Sequence, residues 1–196
     1  KKDILKASEV MGSAFFSDPL WQVLLPEKPD RKEKLPLVYE YLLTYALHYG
    51  IVVAPSSNLE GICAWLPKRA DSPNFWRSLR SGAFWKAMKL GSDFGKHISK
   101  ITEQIDNDRQ KHMQPYSTYF YLNGIGVLPN YQSQGYASQL ILPMLKFADE
   151  NDIYLYLEAA TEKNREIYLH YGFETIQKTY LKDNQFPLWE MLRTPQ

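Results

Sequence analysis

The spacing of apolar side chains predicts several helices and a strand hairpin in the first part of the chain. Residues 4–16 and 31–48 carry apolar side chains at intervals of three and four, which is the pattern of amphipathic helices. Two short apolar runs, residues 51–54 and 61–66, are separated by Pro55 and three polar residues, and this arrangement predicts two strands joined by a turn.

The middle of the chain has a different pattern. Residues 68–115 contain no clear strand, and their apolar spacing predicts helices at residues 75–90 and 94–112, interrupted by Gly91 and Gly95. We therefore predict that residues 68–115 form a helical insertion.

From residue 116 onward the pattern predicts alternating strands and helices. A strand over residues 116–127, a helix that reaches about residue 151 and a strand over residues 153–159 would form a βαβ unit. Pro143 lies inside that helix and predicts a kink. The remaining segments are predicted as a helix at 164–171 and strands at 173–180 and 186–192.

The loop after the first of these strands has features of a phosphate-binding site. The strand ends at Val127, Pro129 stops it, and the first turn of the next helix contains Gly135 and Ala137. Small residues let a ligand approach the backbone, and the unpaired N–H groups of such a turn attract phosphate. An ordinary strand-to-helix turn that binds nothing fits the same pattern. A P-loop and a dinucleotide fingerprint are excluded, because the lysine of the first and the third glycine of the second are missing.

The same stretch resembles the GNAT superfamily of N-acetyltransferases. The superfamily pattern of valine, proline, Gln/Arg-x-x-Gly-x-Gly/Ala and leucine occurs here as Val127, Pro129, Gln132, Gly135, Ala137 and Leu140. Residues 156–173 are similar to the superfamily's strand, asparagine, tyrosine and Gly-Phe ending, and the spacing of Asn164 and Tyr168 resembles the branch that includes puromycin N-acetyltransferase. The resemblance covers residues 116–192 well and the N-terminal half only in outline.

The resemblance implies an α/β fold with a mixed, mostly antiparallel sheet flanked by helices and a V-shaped splay between two parallel central strands. One N-acetyltransferase domain would span residues 1–196, with residues 116–192 as its acetyl-CoA-binding core. The N–H groups of residues 132–138 would hold the pyrophosphate, the strand at residues 125–127 would pair with the pantetheine arm, and the Val127 N–H would lie near the thioester carbonyl. The implied cofactor-binding residues are Ile125, Gly126, Val127, Gln132, Ser133, Gln134, Gly135, Tyr136, Ala137, Ser138 and Asn164.

Acetyl transfer from a thioester needs a neutral amine and a proton for the departing thiolate. By the resemblance, Tyr168 is the candidate general acid. Glu158 is the candidate base, acting through water, although it could instead bond backbone N–H groups or a neighbouring tyrosine. Asn164 is expected first to cap the short helix, with a bond to pantetheine also open, and His170 is expected at the surface because it faces another side of that helix.

The expected reaction is direct transfer of acetyl from acetyl-CoA to a primary amine of a small molecule, without a metal. A peptide or protein amine is the alternative within the same class, and a non-catalytic acyl-CoA-binding sensor is the alternative outside it. The aromatic residues at 75, 76, 84 and 85 either wall an acceptor pocket or form core. No motif names the acceptor.

The composition of the chain limits the binding partners and the cellular location that we expect. The 23 lysines and arginines nearly balance the 22 aspartates and glutamates, so no overall field favours nucleic acid or an anionic membrane as a partner. The single cysteine, Cys63, cannot form an internal disulfide and lies in an apolar run, which favours a reducing, cytoplasmic location. The first six residues lack an apolar signal core. The oligomeric state stays open, and a homodimer is one possibility.

Overall fold

The computed structural model describes residues 3–181 and 186–196. The first two residues of the N-terminal segment discussed above lie outside the described residues. The helices and strands, in chain order, are α1 (Ile4–Ala14), α2 (Pro19–Leu24), α3 (Lys28–Tyr49), β1 (Ile51–Val53), β2 (Gly61–Pro67), α4 (Phe75–Ser81), α5 (Ala83–Ala87), α6 (Ser92–Met113), β3 (Tyr119–Val127), α7 (Tyr136–Glu150), β4 (Tyr154–Ala159), α8 (Glu162–His170), β5 (Glu174–Leu181) and β6 (Phe186–Arg193).

The predicted hairpin, the helical character of residues 68–115 and the βαβ unit are confirmed, and the differences lie mainly at boundaries. α2 was not predicted, because residues 17–19 read as the end of the first helix. In the structure, Asp18 starts a new helix by accepting hydrogen bonds from the N–H groups of Leu20 and Trp21 at 3.0 and 3.3 Å. Within the insertion the first break falls at Gly82, whose φ is +82°, and Gly95 lies inside α6.

The sheet confirms the predicted mixed topology. Its strand order is β1-β2-β3-β4-β6-β5, and every neighbouring pair is antiparallel except β3 with β4. The two parallel strands pair over three residues only, from Tyr119 opposite Tyr154 to Tyr121 opposite Tyr156. Beyond that point they separate, so the predicted V-shaped fork is present between the ends of β3 and β4.

A β-bulge accompanies this separation. On β2, Trp65 lies opposite Leu122 and Ala64 lies opposite Gly124, which leaves Asn123 without a partner in the register. A bulge bends the strand that carries the extra residue. The rest of β3 therefore follows β2 and leaves β4, and the end of β3 remains open on its fork side.

Helices cover both faces of the sheet, and the alternation of side chains along β2 shows how. Cys63 and Trp65 pack in the cluster formed with α7, which includes Leu140, Ile141 and Leu145. The intervening side chains Ile62, Ala64 and Leu66 pack in the cluster formed with α1 and α3, which includes Met11, Leu35 and Leu43. Successive strand residues face opposite sides of a sheet, so this period of two places α7 on one face and the N-terminal helices on the other.

The end of α1 lies close to β3 because glycine occupies both contact points. A Cβ at Gly126 would lie 2.9 Å from the Cβ of Ala14 and 3.1 Å from the Phe15 ring, and a Cβ at Gly124 would lie 3.3 Å from Met11. The N-terminal helices therefore reach the fork. No helix in the described part of the chain is long and apolar enough to cross a membrane.

Candidate active site

The backbone of β3 presents hydrogen-bonding groups to the open fork at every second residue. The Leu128 N–H donates to the Glu60 carbonyl at 2.9 Å, and Val127 lies opposite Gly61 on β2. Because bonded and non-bonded pairs alternate in an antiparallel ladder, Val127 and Ile125 point their N–H and C=O groups away from β2 and toward the fork.

The other polar groups at the end of β3 are already occupied. The Val127 carbonyl accepts a hydrogen bond from the Gln132 side-chain amide at 3.1 Å. Gly126 is paired with Ile62 on β2, and its missing side chain faces α1. Gly126 therefore offers no donor to the fork, and it serves to let α1 approach. The N–H groups of Ile125 and Val127 and the Ile125 carbonyl remain directed at the fork.

The loop between β3 and α7 exposes a series of backbone donors. Ser133 and Gly135 both adopt left-handed backbone conformations, with φ of +61° and +83°. The Gln132 N–H donates to the Pro129 carbonyl at 3.3 Å, and the Gln139 N–H donates to the Gly135 carbonyl at 3.1 Å. Between them, the described structure gives the N–H groups of residues 133–138 no acceptor within the backbone, and no side chain caps α7.

This loop has the properties required of a phosphate site. A Cβ at Gly135 would have nothing within 4 Å, so the space over the loop is open. The donors sit at the N-terminus of a 15-residue helix, whose dipole attracts negative charge. The Ser138 hydroxyl lies 2.8 Å from the Tyr171 hydroxyl, and this hydrogen bond joins α7 to the end of α8. Because the hydroxyl is used in this way, the group of Ser138 that is available to a phosphate is its backbone N–H.

A cavity of about 530 Å³ extends from the fork toward the N-terminal helices. At the fork, its walls include Ile125 of β3, Glu158 of β4, and Asn164 and Tyr168 of α8. Most of its other walls are apolar or aromatic and come from α1, α2, α3 and α6: Phe15, Leu20, Trp21, Val38, Tyr39, Tyr41, Leu42, Phe94, Ile98 and Ile105. The structure thus brings the two predicted catalytic residues into one cavity.

Glu158 is held by a buried arginine. Arg109 of α6 is 1% exposed, and its guanidinium contacts Glu158 and Asp71 at 3.3 Å each and Asp106 more closely. The guanidinium also lies 3.9 Å from the centroid of the Tyr121 ring. One cation therefore contacts three carboxylates, and Glu158 is the one that extends to the fork.

The buried surroundings of Glu158 bring the pKa of its carboxyl group close to neutral. Burial raises the pKa of Glu158 to about 7, against the opposing influence of Arg109 and of a hydrogen bond with the Tyr121 side chain. Glu158 lines the cavity, as a role as the base requires, and the Tyr121 side chain is near enough to lower its pKa. A carboxyl group with a pKa near 7 exists in both forms at physiological pH, as a general base requires.

Tyr168 has the surroundings of a group that stays protonated. It lies on α8 and packs on the core with its ring 5.8 Å from that of Phe173. Burial is the main cause that raises the pKa of Tyr168 above its usual value. A neutral phenol at the cavity wall is in the form that a general acid needs.

Two predictions about side-chain placement are wrong. Asn164 does not cap α8, because the helix begins at Glu162 and Thr161 precedes it, accepting the Asn164 N–H on its hydroxyl at 3.0 Å. The Asn164 side chain lines the cavity instead. None of the four aromatic residues at 75, 76, 84 and 85 lines the cavity, and three of them, Phe75, Trp76 and Trp85, are exposed rather than in the core. His170 is exposed, as expected.

The carboxylates and arginine around Glu158 were not predicted from the sequence. Asp71 and Arg109 are separated by 38 positions, and no motif joins them. One signal was present: Arg109 continues an apolar stripe of Ile98, Ile101 and Ile105 at helical spacing, and Met113 follows it. An arginine on the buried face of a helix indicates that carboxylates from other elements surround it.

Comparisons with known proteins agree with this site. The model of the acetyltransferase (GNAT) family matches residues 82–173. An uncharacterized N-acetyltransferase of Schizosaccharomyces pombe is 30% identical over 203 residues, and the match spans all of this chain and 81% of the relative.

Solved structures share the fold. Arylalkylamine N-acetyltransferase 2 of Aedes aegypti has a TM-score of 0.70 at 16% identity, covering 100% of this chain and 95% of that one. A histone acetyltransferase HPA2 and related acetyltransferase of Corynebacterium glutamicum has a TM-score of 0.66 at 18% identity, covering 100% and 93%. The family match and the yeast relative, together with the fork and its loop, show that this chain belongs to the GNAT family and is an N-acetyltransferase.

Proposed function

We propose that this enzyme transfers an acetyl group from acetyl-CoA to a primary amine of a small molecule by direct attack of the amine. The observation that carries the proposal is the shared cavity, in which Glu158 and Tyr168 face the same space as the open edge of β3. A base for the incoming amine and an acid for the leaving sulfur are the two proton-transfer groups that the reaction needs.

The residues of the fork and the loop fit the donor. The N–H groups of residues 133–138 would hold the pyrophosphate, and the groups of Ile125 and Val127 that face the fork would bond the pantetheine arm. The Asn164 amide at the cavity wall would bond the same arm. Bound acetyl-CoA supplies an acetyl group activated as a thioester.

The proton transfers are assigned to two side chains. Glu158, in its ionised form, would take the proton of the acceptor ammonium through water, so that the nitrogen lone pair can form the new C–N bond. Tyr168 would give its hydroxyl proton to the sulfur as the C–S bond breaks, and the second proton that the attacking nitrogen loses would restore the Tyr168 hydroxyl. Arg109 keeps the Glu158 carboxylate in the cavity wall and limits the rise in its pKa.

The cavity favours a small amine over a peptide. Its walls come from helices and strands of both halves of the chain, so we also infer that the described residues act as one acetyltransferase unit. A cavity of this volume suits a small molecule with an apolar body. The name of the Aedes aegypti neighbour, arylalkylamine N-acetyltransferase 2, points to the same acceptor class.

Release of free thiol from acetyl-CoA tests the proposal. We expect the wild-type enzyme to release thiol with alkyl- or arylalkylamines and to act poorly on peptides. The variant Glu158→Gln removes the proposed base and should lower thiol release. Its matched control is Glu166→Gln, because Glu166 lies on α8 with a side chain that is 61% exposed. Acetyl-CoA binding without thiol release from any amine would favour the sensor and refute the enzyme assignment of this site, while faster release with peptides would favour a peptide substrate.

A further inference from the structure

Aromatic side chains line the cavity where α1, α2 and α3 meet. Phe15 and Trp21 both pack against the Tyr39 ring, with centroid distances of 5.2 and 6.2 Å. The Trp21 indole N–H donates to the Tyr39 hydroxyl at 3.2 Å, which fixes the two rings relative to each other. All three residues belong to the cavity wall. We call Phe15, Trp21 and Tyr39 the aromatic cage.

A carboxylate lies in the same part of the wall. Asp18, in the connection between α1 and α2, uses one oxygen, Oδ1, to accept the N–H groups of Leu20 and Trp21. Within the described residues, its second oxygen has no protein hydrogen-bond partner or ion pair. Burial raises the pKa of Asp18. Asp18 is half-buried, and its second oxygen is free to contact a ligand in the cavity.

The charges around the whole cavity have one sign. Its lining contains four carboxylates, those of Asp18, Asp71, Asp106 and Glu158, and among the described lining residues there is no lysine, arginine or histidine. Arg109 lies behind the wall and is shared by Asp71, Asp106 and Glu158. Its ion pairs do not include Asp18, so the charge of Asp18 remains uncompensated within the described residues.

We infer that Asp18 and the aromatic cage form a subsite for a second cationic nitrogen, so that the acceptor is a diamine whose primary amine reacts beside Glu158. The inference rests on the proposed function and adds the acceptor's second functional group. Aromatic side chains in a cavity wall can attract a cation, and the Asp18 carboxylate supplies the opposite charge. The apolar walls between the two ends suit the hydrocarbon part of such a molecule.

The two nitrogens would affect different kinetic constants. The reacting amine must lose its proton before attack, so its positive charge cannot anchor the molecule throughout the reaction. The second nitrogen keeps its charge in the ground state and in the transition state. Binding that is equal in both states lowers KM and leaves kcat nearly unaffected.

A matched pair of substrates tests the subsite. One member is a series of ω-(dimethylamino)alkylamines, which carry one acetylatable amine and one tertiary cation. The other is the series of hydrocarbon isosteres in which CH replaces the tertiary nitrogen. We expect the wild-type KM for the best dicationic amine to be about tenfold to hundredfold lower than for its isostere. Equal KM values, or a preference for the isostere, would overturn the inference.

The variant Asp18→Asn removes the charge and keeps an oxygen that can cap α2. We expect the KM ratio of the substrate pair to move toward one in this variant. Asp93→Asn, which changes an exposed aspartate, is the control and should keep the wild-type ratio. Thermal unfolding of both variants shows whether they are folded. A folded Asp18→Asn enzyme with the wild-type ratio would refute the role of Asp18.

Binding of an unreactive probe separates the subsite from the proposed chemistry. N,N,N′,N′-tetramethyl diamines cannot be acetylated, and calorimetry can measure their affinity for the wild-type enzyme and for Asp18→Asn. A loss of about tenfold or more in the variant would support the subsite even if no amine released thiol, in which case only the proposed function would fail. Absence of probe binding to the wild-type enzyme, or equal binding to both, would overturn the subsite alone.

Discussion

Replacing Glu158 with glutamine tests whether this carboxyl group is the base. With a pKa of about 7, Glu158 would be roughly one tenth ionised at pH 6 and nine tenths ionised at pH 8. If the ionised form accepts the proton of the amine, kcat should rise by about tenfold over this interval. Glu158→Gln keeps the shape of the side chain and an oxygen for Arg109 and Tyr121, but it cannot take a proton. We expect kcat to fall by about 10²- to 10⁴-fold and the inflection near pH 7 to disappear.

The assay must separate the titration of Glu158 from that of the acceptor. The pH profile of kcat at saturating amine reports groups in the bound complex, whereas kcat/KM also reports the free amine. Two amines of different basicity should therefore show the same inflection in kcat if it belongs to Glu158. Glu166→Gln, on the exposed side of α8, should keep the wild-type profile.

The carboxyl group of Glu190 is the main alternative candidate for the group that titrates near pH 7. Burial also raises the pKa of Glu190 to about 7, and Glu190 lies opposite Glu158 on β6. It contacts Tyr156 and His112 at 3.2 Å and does not line the cavity. Since the charge of Glu190 raises the pKa of Glu158, Glu190→Gln should keep the inflection and move it to lower pH. Loss of the inflection in Glu190→Gln, with its retention in Glu158→Gln, would refute the assignment.

Three further variants test other parts of the site. Tyr168→Phe should fold and lose about 10²- to 10⁴-fold in kcat, with little change in acetyl-CoA affinity by calorimetry, and a wild-type rate with chemistry as the slow step would contradict the acid role. Gly135→Glu should abolish acetyl-CoA binding by adding a side chain and a like charge to the loop. Gly82→Glu, at a glycine with the same left-handed φ and ψ and the same open space, controls for backbone strain and should still bind. Arg109→Met should lower the free energy of unfolding in urea by about 3–5 kcal/mol, because three carboxylates lose their shared cation, and an unchanged value would contradict the ion cluster.

The parts of the site that are encoded locally could be predicted from the sequence. The strand end at Val127, the turn after Pro129 and the small residues at 135 and 137 are close neighbours, and their order specifies a strand, a donor-rich loop and a helix. The parallel neighbours of the sheet followed from the βαβ pattern, since a helix between two strands is the usual crossover. Tyr168 and Glu158 were identified by resemblance, and the cavity now places them together.

The proposed acceptor subsite could not be predicted in the same way, because its contacts join distant positions. Asp18 looked like the end of a helix, and only its hydrogen bonds to Leu20 and Trp21 show that it starts the next one. Tyr39 lies 18 positions after Trp21 and meets it through the packing of α3 beside α2. Burial of these polar and aromatic groups depends on tertiary contacts, which apolar periodicity does not encode.

The glycines of β3 connect the two sides of the cavity. Gly124 and Gly126 have no side chains on the face that α1 covers, so Met11 and Ala14 lie against the strand itself. The intervening Ile125, on the opposite face, directs its backbone groups into the fork. One short segment therefore has its edge at the proposed donor site and its flat face against the helix that leads to Phe15 and Asp18. Because α1 packs on the same strand whose edge faces the fork, the position of the N-terminal helices relative to the proposed donor site depends on β3.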